Sequence, residues 1–244
     1  MQKNSHLDFI LSPISNILRD VATASSGIGN GIETYPLCDY IMQSVFLRMT
    51  GFQEQKMKCI IWELATIDYE YRRILLGNDD KLGECSSYSD KNKIYKRLIN
   101  QIHKYNSRFN IIIDIDKTLI LQSTIADVEN IFIKSNLAIW AQKSFFDFAN
   151  IKTTIQHQHF ANNNTNLFEH YLQEKYAKLY KHRNRCAHNT QSYQQNLPTL
   201  KSLANDEYKH DNYFVWFALL ILIDKTFVEL YDKYLELIEE NNNR

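Results

Sequence analysis

Tyr213-Phe214-Val215-Trp216-Phe217-Ala218-Leu219-Leu220-Ile221-Leu222-Ile223 is the longest strongly apolar run in the chain, and Asp224 ends it. It is too short to cross a bilayer, which takes about 20 apolar residues. It opens a long helical pattern over residues 208–240 whose first half is apolar on most sides. A helix with no polar face belongs inside a core, with other helices around it. The scarcity of turn residues, 6 Gly and 3 Pro in 244 residues, also favours long helices over a many-stranded sheet. The expected fold is therefore all-α: a single helical bundle of long antiparallel helices spanning residues 1–244.

Helical intervals recur outward from this core. Residues 7–24 carry Phe9, Ile10, Ile14, Ile17, Leu18 and Val21, with a start at Asp8 or at Ser12 before Pro13. Residues 25–36 hold three glycines and read as a loop. From Pro36 the apolar positions Leu37, Ile41, Val45 and Met49 recur every fourth residue. Gly51 is a candidate break, and the pattern resumes from Met57 to about Gly77. Residues 78–90 are polar and read as an exposed loop. Residues 91–105 form an amphipathic helix, and 123–149 another long striped helix. Residues 152–166, rich in Gln, His and Asn, read as a loop, as do 189–205. Residues 165–188 form the penultimate helix.

Charge and cysteine use bound the partners. The net charge is zero, so any pull on nucleic acid is local. Cys38, Cys59, Cys85 and Cys186 are widely spaced with no CxxC pair, as in a reduced cytoplasmic chain. The N-terminus lacks a signal-peptide core, and no membrane association is expected.

The chemistry concentrates at Lys181-His182-Arg183-Asn184-Arg185-Cys186-Ala187-His188-Asn189. An arginine clamps a phosphate with two parallel hydrogen bonds, and a histidine exchanges protons near neutrality. Asn184 and His188 share a helix face, and Arg185 and His188 nearly do. Arg183 and His188, five apart, meet only through the long arginine arm, a distorted last turn or a dimer axis. Lys175, Lys178, Lys181, His182, Arg183 and Arg185 make a basic stripe interleaved with Tyr171, Tyr176 and Tyr180, a pattern suited to phosphates and unpaired bases. Read blandly, the tyrosines face the core, the lysines face water, and the charge complements the helix dipole.

Arg183, four residues, then His188, with Asn184 after the arginine, resembles the signature of the HEPN superfamily. The resemblance implies an all-helical bundle and a homodimer with a composite active site. It implies metal-independent cleavage of single-stranded RNA, with no cofactor. Arg183, His188 and Asn184 would be the catalytic set, and Arg185, Lys181, His182 and Lys178 would contact substrate. Glu54, Glu63 and Asp68 are candidate acids to orient Arg183 or His188, with no choice among them. A toxin or phage-defence role, restrained by an antitoxin or regulatory partner, is also implied. A HEPN-like bundle that binds nucleotide, RNA or protein without cutting is the alternative.

Asp114-x-Asp116-x-Thr118, after the apolar run 111–113, resembles the first motif of haloacid-dehalogenase phosphatases, where two aspartates work with magnesium. Downstream of Thr118 the patterns are helical, without the strands that family needs. His157 and His159 lack third and fourth metal ligands in their loop. His182 and Cys186, at i and i+4, likewise lack partners.

Overall fold

The computed structural model describes residues 5–77, 85–151, 155–188 and 212–243, with the side chains of Ser5, Ile151 and His188 excepted. Helices dominate and no sheet forms among the described residues, as an all-α reading requires. In chain order the helices are α1 (Ser5–Leu11), α2 (Ser15–Ala24), α3 (Tyr35–Ile67), α4 (Tyr69–Gly77), α5 (Tyr88–Tyr105), α6 (Ile111–Asp114), α7 (Lys117–Phe132), α8 (Asn136–Trp140), α9 (Gln142–Ile151), α10 (His170–His188) and α11 (Tyr213–Asn242).

The central helix is α11. Every side chain from Phe214 to Asp224 is buried, as expected of a helix with no polar face. It packs against α3, α5, α7, α9 and α10. Asn212 caps its start by accepting from the Val215 N–H at 2.9 Å. Rings close the core at this end: Phe132 and Phe145 each meet Phe214 at 5.0 Å between centroids.

The second axis is α3. It runs 33 residues with Pro36 in its first turn, about 50 Å at 1.5 Å per residue. Gly51 does not break it. The cost of one helical glycine, about 1 kcal/mol, is small beside the burial of Met49, Met57, Ile60 and Ile61 on either side.

Other boundaries also differ from the periodicity, among them the break at Asp68 between α3 and α4. Residues 7–24 form two helices, because Pro13 disfavours helical geometry at Ser12 and has no N–H of its own. Residues 123–149 are cut into α7, α8 and α9. There Ser135 accepts from the Leu137 N–H at 3.1 Å and starts a new helix, a capping signal that outweighs the continuing apolar stripe.

The segment before α10 is tied down closely. Phe160 and Phe168 form an isolated antiparallel bridge. The Asn163 side chain accepts from the Thr165 and Asn166 N–H groups at 2.8 and 2.7 Å, an Asx-type turn. Tyr95 donates to the Asn163 carbonyl at 2.7 Å, and the Leu167 N–H donates to Asn92 at 2.7 Å. These bonds fix the start of α10 against α5, so α10 reaches its far end in a set register. Residues 189–205, read as a loop, lie outside the described residues.

Candidate functional site

Leu172, Tyr176 and Leu179 are buried and recur at helical spacing along α10. They seat the helix on α3 and α5. Tyr180 and Arg183 continue the same face beyond the sealed core. Arg183 keeps about a fifth of its side chain exposed.

Of the three candidate acids, Glu54 is the one that faces Arg183. Its carboxylate lies 3.6 Å from the guanidinium, across the α3–α10 interface. The other Glu54 oxygen receives Lys58 Nζ at 3.0 Å. Arg183 also donates to the Asn184 side-chain oxygen at 3.1 Å. The guanidinium therefore has one ion-pair partner across the helix interface and one hydrogen bond to its chain neighbour.

Glu63 and Asp68 are engaged elsewhere. Glu63 lies 2.9 Å from His6 Nδ1. Asp68 pairs with Lys104 and accepts from the Tyr71 N–H at 3.0 Å, which starts α4.

The other residues of the α10 motif divide by face. Lys181 and Arg185 are exposed, and Lys178 is partly so. His182 turns inward, its ring 4.3 Å from Trp216 and 5.5 Å from both Phe46 and Tyr213. Its Nε2 lies 3.1 Å from the Tyr213 hydroxyl and 3.2 Å from Cys186 Sγ. Burial, with Arg185 second, lowers the His182 pKa to about 4, so the ring is neutral at pH 7. Gln43 donates to Cys186 Sγ at 3.0 Å, and burial raises that thiol's pKa. This cluster seals the end of the core; the exposed basic side chains lie around it. His188 is the last residue of α10, and its side chain lies outside the described residues.

A small cleft opens beside Arg183. Thr50, Tyr180 and Arg183 stand at its mouth, and Gln53, Ser86, Lys91, Tyr176 and Leu179 are its buried walls. Lys91 Nζ donates to the Cys85 carbonyl at 2.8 Å and stands 5.9 Å from the centre of the Tyr176 ring. Burial is the main reason its pKa falls to about 8. Gln53, Ser86 and Lys91 were not anticipated from the sequence. Gln53 and Lys91 nonetheless fall at positions where the stripes of α3 and α5 are otherwise apolar. A polar residue at such a position was the readable signal.

The two rival constellations are also placed. Residues 111–114 form one helical turn rather than a strand, with Ile112 and Ile113 exposed. Asp114 accepts from the Asn110 N–H at 2.7 Å, and Asp116 caps α7 through the Leu119 N–H at 2.9 Å. His157 and His159 sit in a 3-10 turn, His159 against Tyr171. Among the described residues no three His, Cys, Asp or Glu side chains gather as a cation site. Among them, too, no helix is long and apolar enough to cross a membrane.

No family model, no curated protein and no solved structure matches this chain.

Proposed function

We propose that this chain is a HEPN-like, metal-independent endoribonuclease that cuts single-stranded RNA. The observation that carries the reading is the held guanidinium. Arg183, five residues before His188 on one helix, lies 3.6 Å from the Glu54 carboxylate, donates to Asn184 and stays partly open to solvent. An arginine fixed in place before substrate arrives stabilises growing phosphate charge without reorganising.

In the proposed reaction a ribose 2′-oxygen attacks the adjacent phosphorus while His188 takes the hydroxyl proton. The bond from phosphorus to the 5′-oxygen breaks, and that oxygen receives a proton. The products are a 2′,3′-cyclic phosphate and a 5′-hydroxyl. A second His188, from a two-fold-related copy, is the acid that matches this base. Arg183 neutralises the phosphorane charge, Asn184 positions Arg183, and exposed Lys181 and Arg185 contact flanking phosphates. A cytoplasmic toxin or phage-defence effector, held in check by a protein partner, is the biological role that fits such an activity.

The test is incubation of the purified chain with end-labelled single-stranded RNA in EDTA. Cleavage to cyclic-phosphate ends is expected, with loss in His188→Ala and Arg183→Ala while the helical circular dichroism is retained. Absence of cleavage by the parent protein, or full activity in His188→Ala, would overturn the reading. One observation favours the non-catalytic alternative: the Arg183 guanidinium is already paired, as in a structural ion pair. RNA binding without cleavage would establish that alternative.

A further inference from the structure

The apolar run Ile111-Ile112-Ile113 turns only its first residue into the core. Ile111 and Ile115 are buried, whereas Ile112 and Ile113 are 56% and 78% exposed. Leu119, in the first turn of α7, is 61% exposed. Single exposed apolar side chains are common on a protein surface, but several together that fill no core position form a contact surface without its contact. Polar groups, not these side chains, hold the local turns. Asn110 accepts from the Ile112 N–H at 3.0 Å, and Asp116 from the Leu119 N–H at 2.9 Å.

Acids border this patch. Asp114 and Asp116 are exposed beside it in the chain. Glu229, Asp232 and Glu236 recur at helical spacing on α11, against which α7 packs. The two sets share one side of the molecule, because the charge of Asp116 acts on Glu229 and that of Asp114 acts on Lys233. Lys233 stands among them, paired with Glu236 at 2.9 Å. The surface is therefore apolar and negative in a chain of zero net charge.

That combination selects what can dock. Phosphate-bearing surfaces, whether nucleic acid or anionic lipid, are repelled. A single metal ion does not suit the spread of charge, since no three His, Cys, Asp or Glu side chains gather as a cation site among the described residues. Lysine and arginine side chains do suit it. Their heads reach scattered carboxylates while their methylene stems lie over isoleucine and leucine. An amphipathic helix adds apolar residues at spacings of three and four to cover the exposed side chains.

We infer that Ile112, Ile113 and Leu119, with the carboxylates of Asp114, Asp116, Glu229 and Glu236, form a docking surface for a cationic amphipathic helix of a protein partner. Glu229 is 16 residues from Tyr213, about 24 Å along α11, and Tyr213 is the residue that meets His182. A helix docked on this surface leaves the α10 motif open, and the inference does not depend on the nuclease reading.

The probe is a fluorescein-labelled peptide with leucines at helical spacings of three and four and lysines elsewhere. It is titrated with the full-length chain and followed by anisotropy. A shuffled peptide of the same composition and an analogue with glutamates for lysines separate shape from charge. The amphipathic peptide should bind on the order of tenfold tighter than the shuffled one, and the acidic analogue not at all. Ile112→Ser with Ile113→Ser should weaken binding on the order of tenfold or more, with the circular dichroism unchanged because both side chains are exposed. Glu229→Gln with Glu236→Gln should weaken it several-fold at low salt and reduce its dependence on salt. Leu76→Ser, at an exposed apolar position on α4, should leave it unchanged. No binding of the amphipathic peptide, equal binding of the shuffled one, full affinity in the Ile112/Ile113 variant, or an equal loss in Leu76→Ser would overturn the inference.

Discussion

Lys56 Nζ lies 2.6 Å from the Asp224 carboxylate, and both side chains are buried. The pair locks the two longest helices together at the break between α1 and α2. Lys56 also donates to the Ser12 carbonyl at 2.6 Å, and the Ile14 N–H donates to the second Asp224 oxygen at 3.0 Å. The chain break that Pro13 imposes thus leaves polar backbone groups, and this pair satisfies them.

Burial opposes both charges, lowering the Lys56 pKa and raising that of Asp224. Lys56→Met alone strands a buried carboxylate and should cost about 3–5 kcal/mol in urea unfolding. Replacing both partners, as in Lys56→Met with Asp224→Leu, should recover most of that loss. A double variant no more stable than the single one would show that the bonds to Ser12 and Ile14 matter more than the charge pair.

Lys91 predicts a pH dependence of stability. Its pKa in the folded chain, about 8, lies below the ordinary 10.5, mainly through burial. Between those values the unfolded chain binds more protons, so stability rises with pH. The gain is roughly 3 kcal/mol at most, since a tenfold change in proton affinity is worth about 1.4 kcal/mol. Buried thiols and phenols with raised pKa values lose stability over the same window, so the readout is a difference: from pH 7 to pH 10 the urea stability of Lys91→Met should change less favourably than that of the parent chain.

His182 acts at the opposite end of the scale. Burial first, then Arg185, depresses its pKa from 6.5 to about 4. Its contribution is complete above pH 6.5 and is lost as pH falls toward 4, because the unfolded chain takes up the proton first. The loss is on the order of 3 kcal/mol. His182→Phe, which keeps a ring against Trp216 and cannot ionise, should flatten the thermal melting temperature across that window. An NMR titration that placed the imidazole pKa near 6.5 would contradict the sealed cluster.

On the proposed nuclease reading, Glu54 should matter to RNA cleavage in a way that Glu63 and Asp68 do not. Glu54→Gln weakens the grip on Arg183, and a misplaced guanidinium can cost on the order of a hundredfold in rate. The loss should fall on kcat, with the circular dichroism unchanged. Glu63→Gln and Asp68→Asn remove contacts to His6 and Lys104, at the far end of α3. They should lower the melting temperature and leave kcat unaffected. Equal kinetic losses in all three would show that Glu54 has no special orienting part.

Local patterns carried much of the architecture. An eleven-residue run with no polar face made α11 a core helix whatever surrounded it. The stripes of α3 and α5 were readable because apolar side chains must share a face to be buried together. The α10 motif was legible as a basic segment at a helix end. The cut at Ser135 was less legible, since one cap had to outweigh a continuing stripe.

The sequence alone therefore determined the helical class, the central helix and the position of Arg183 near the end of α10, because these follow from spacings of three and four residues. It left Glu54, Glu63 and Asp68 equivalent. Only the tertiary structure distinguished them, since Glu54 meets Arg183 from 129 residues away in the chain. The same holds for Lys56 with Asp224 and for the cleft shared by Gln53, Ser86 and Lys91. Such pairings depend on how helices are rotated and slid against one another, and the periodicity of a single helix does not record that.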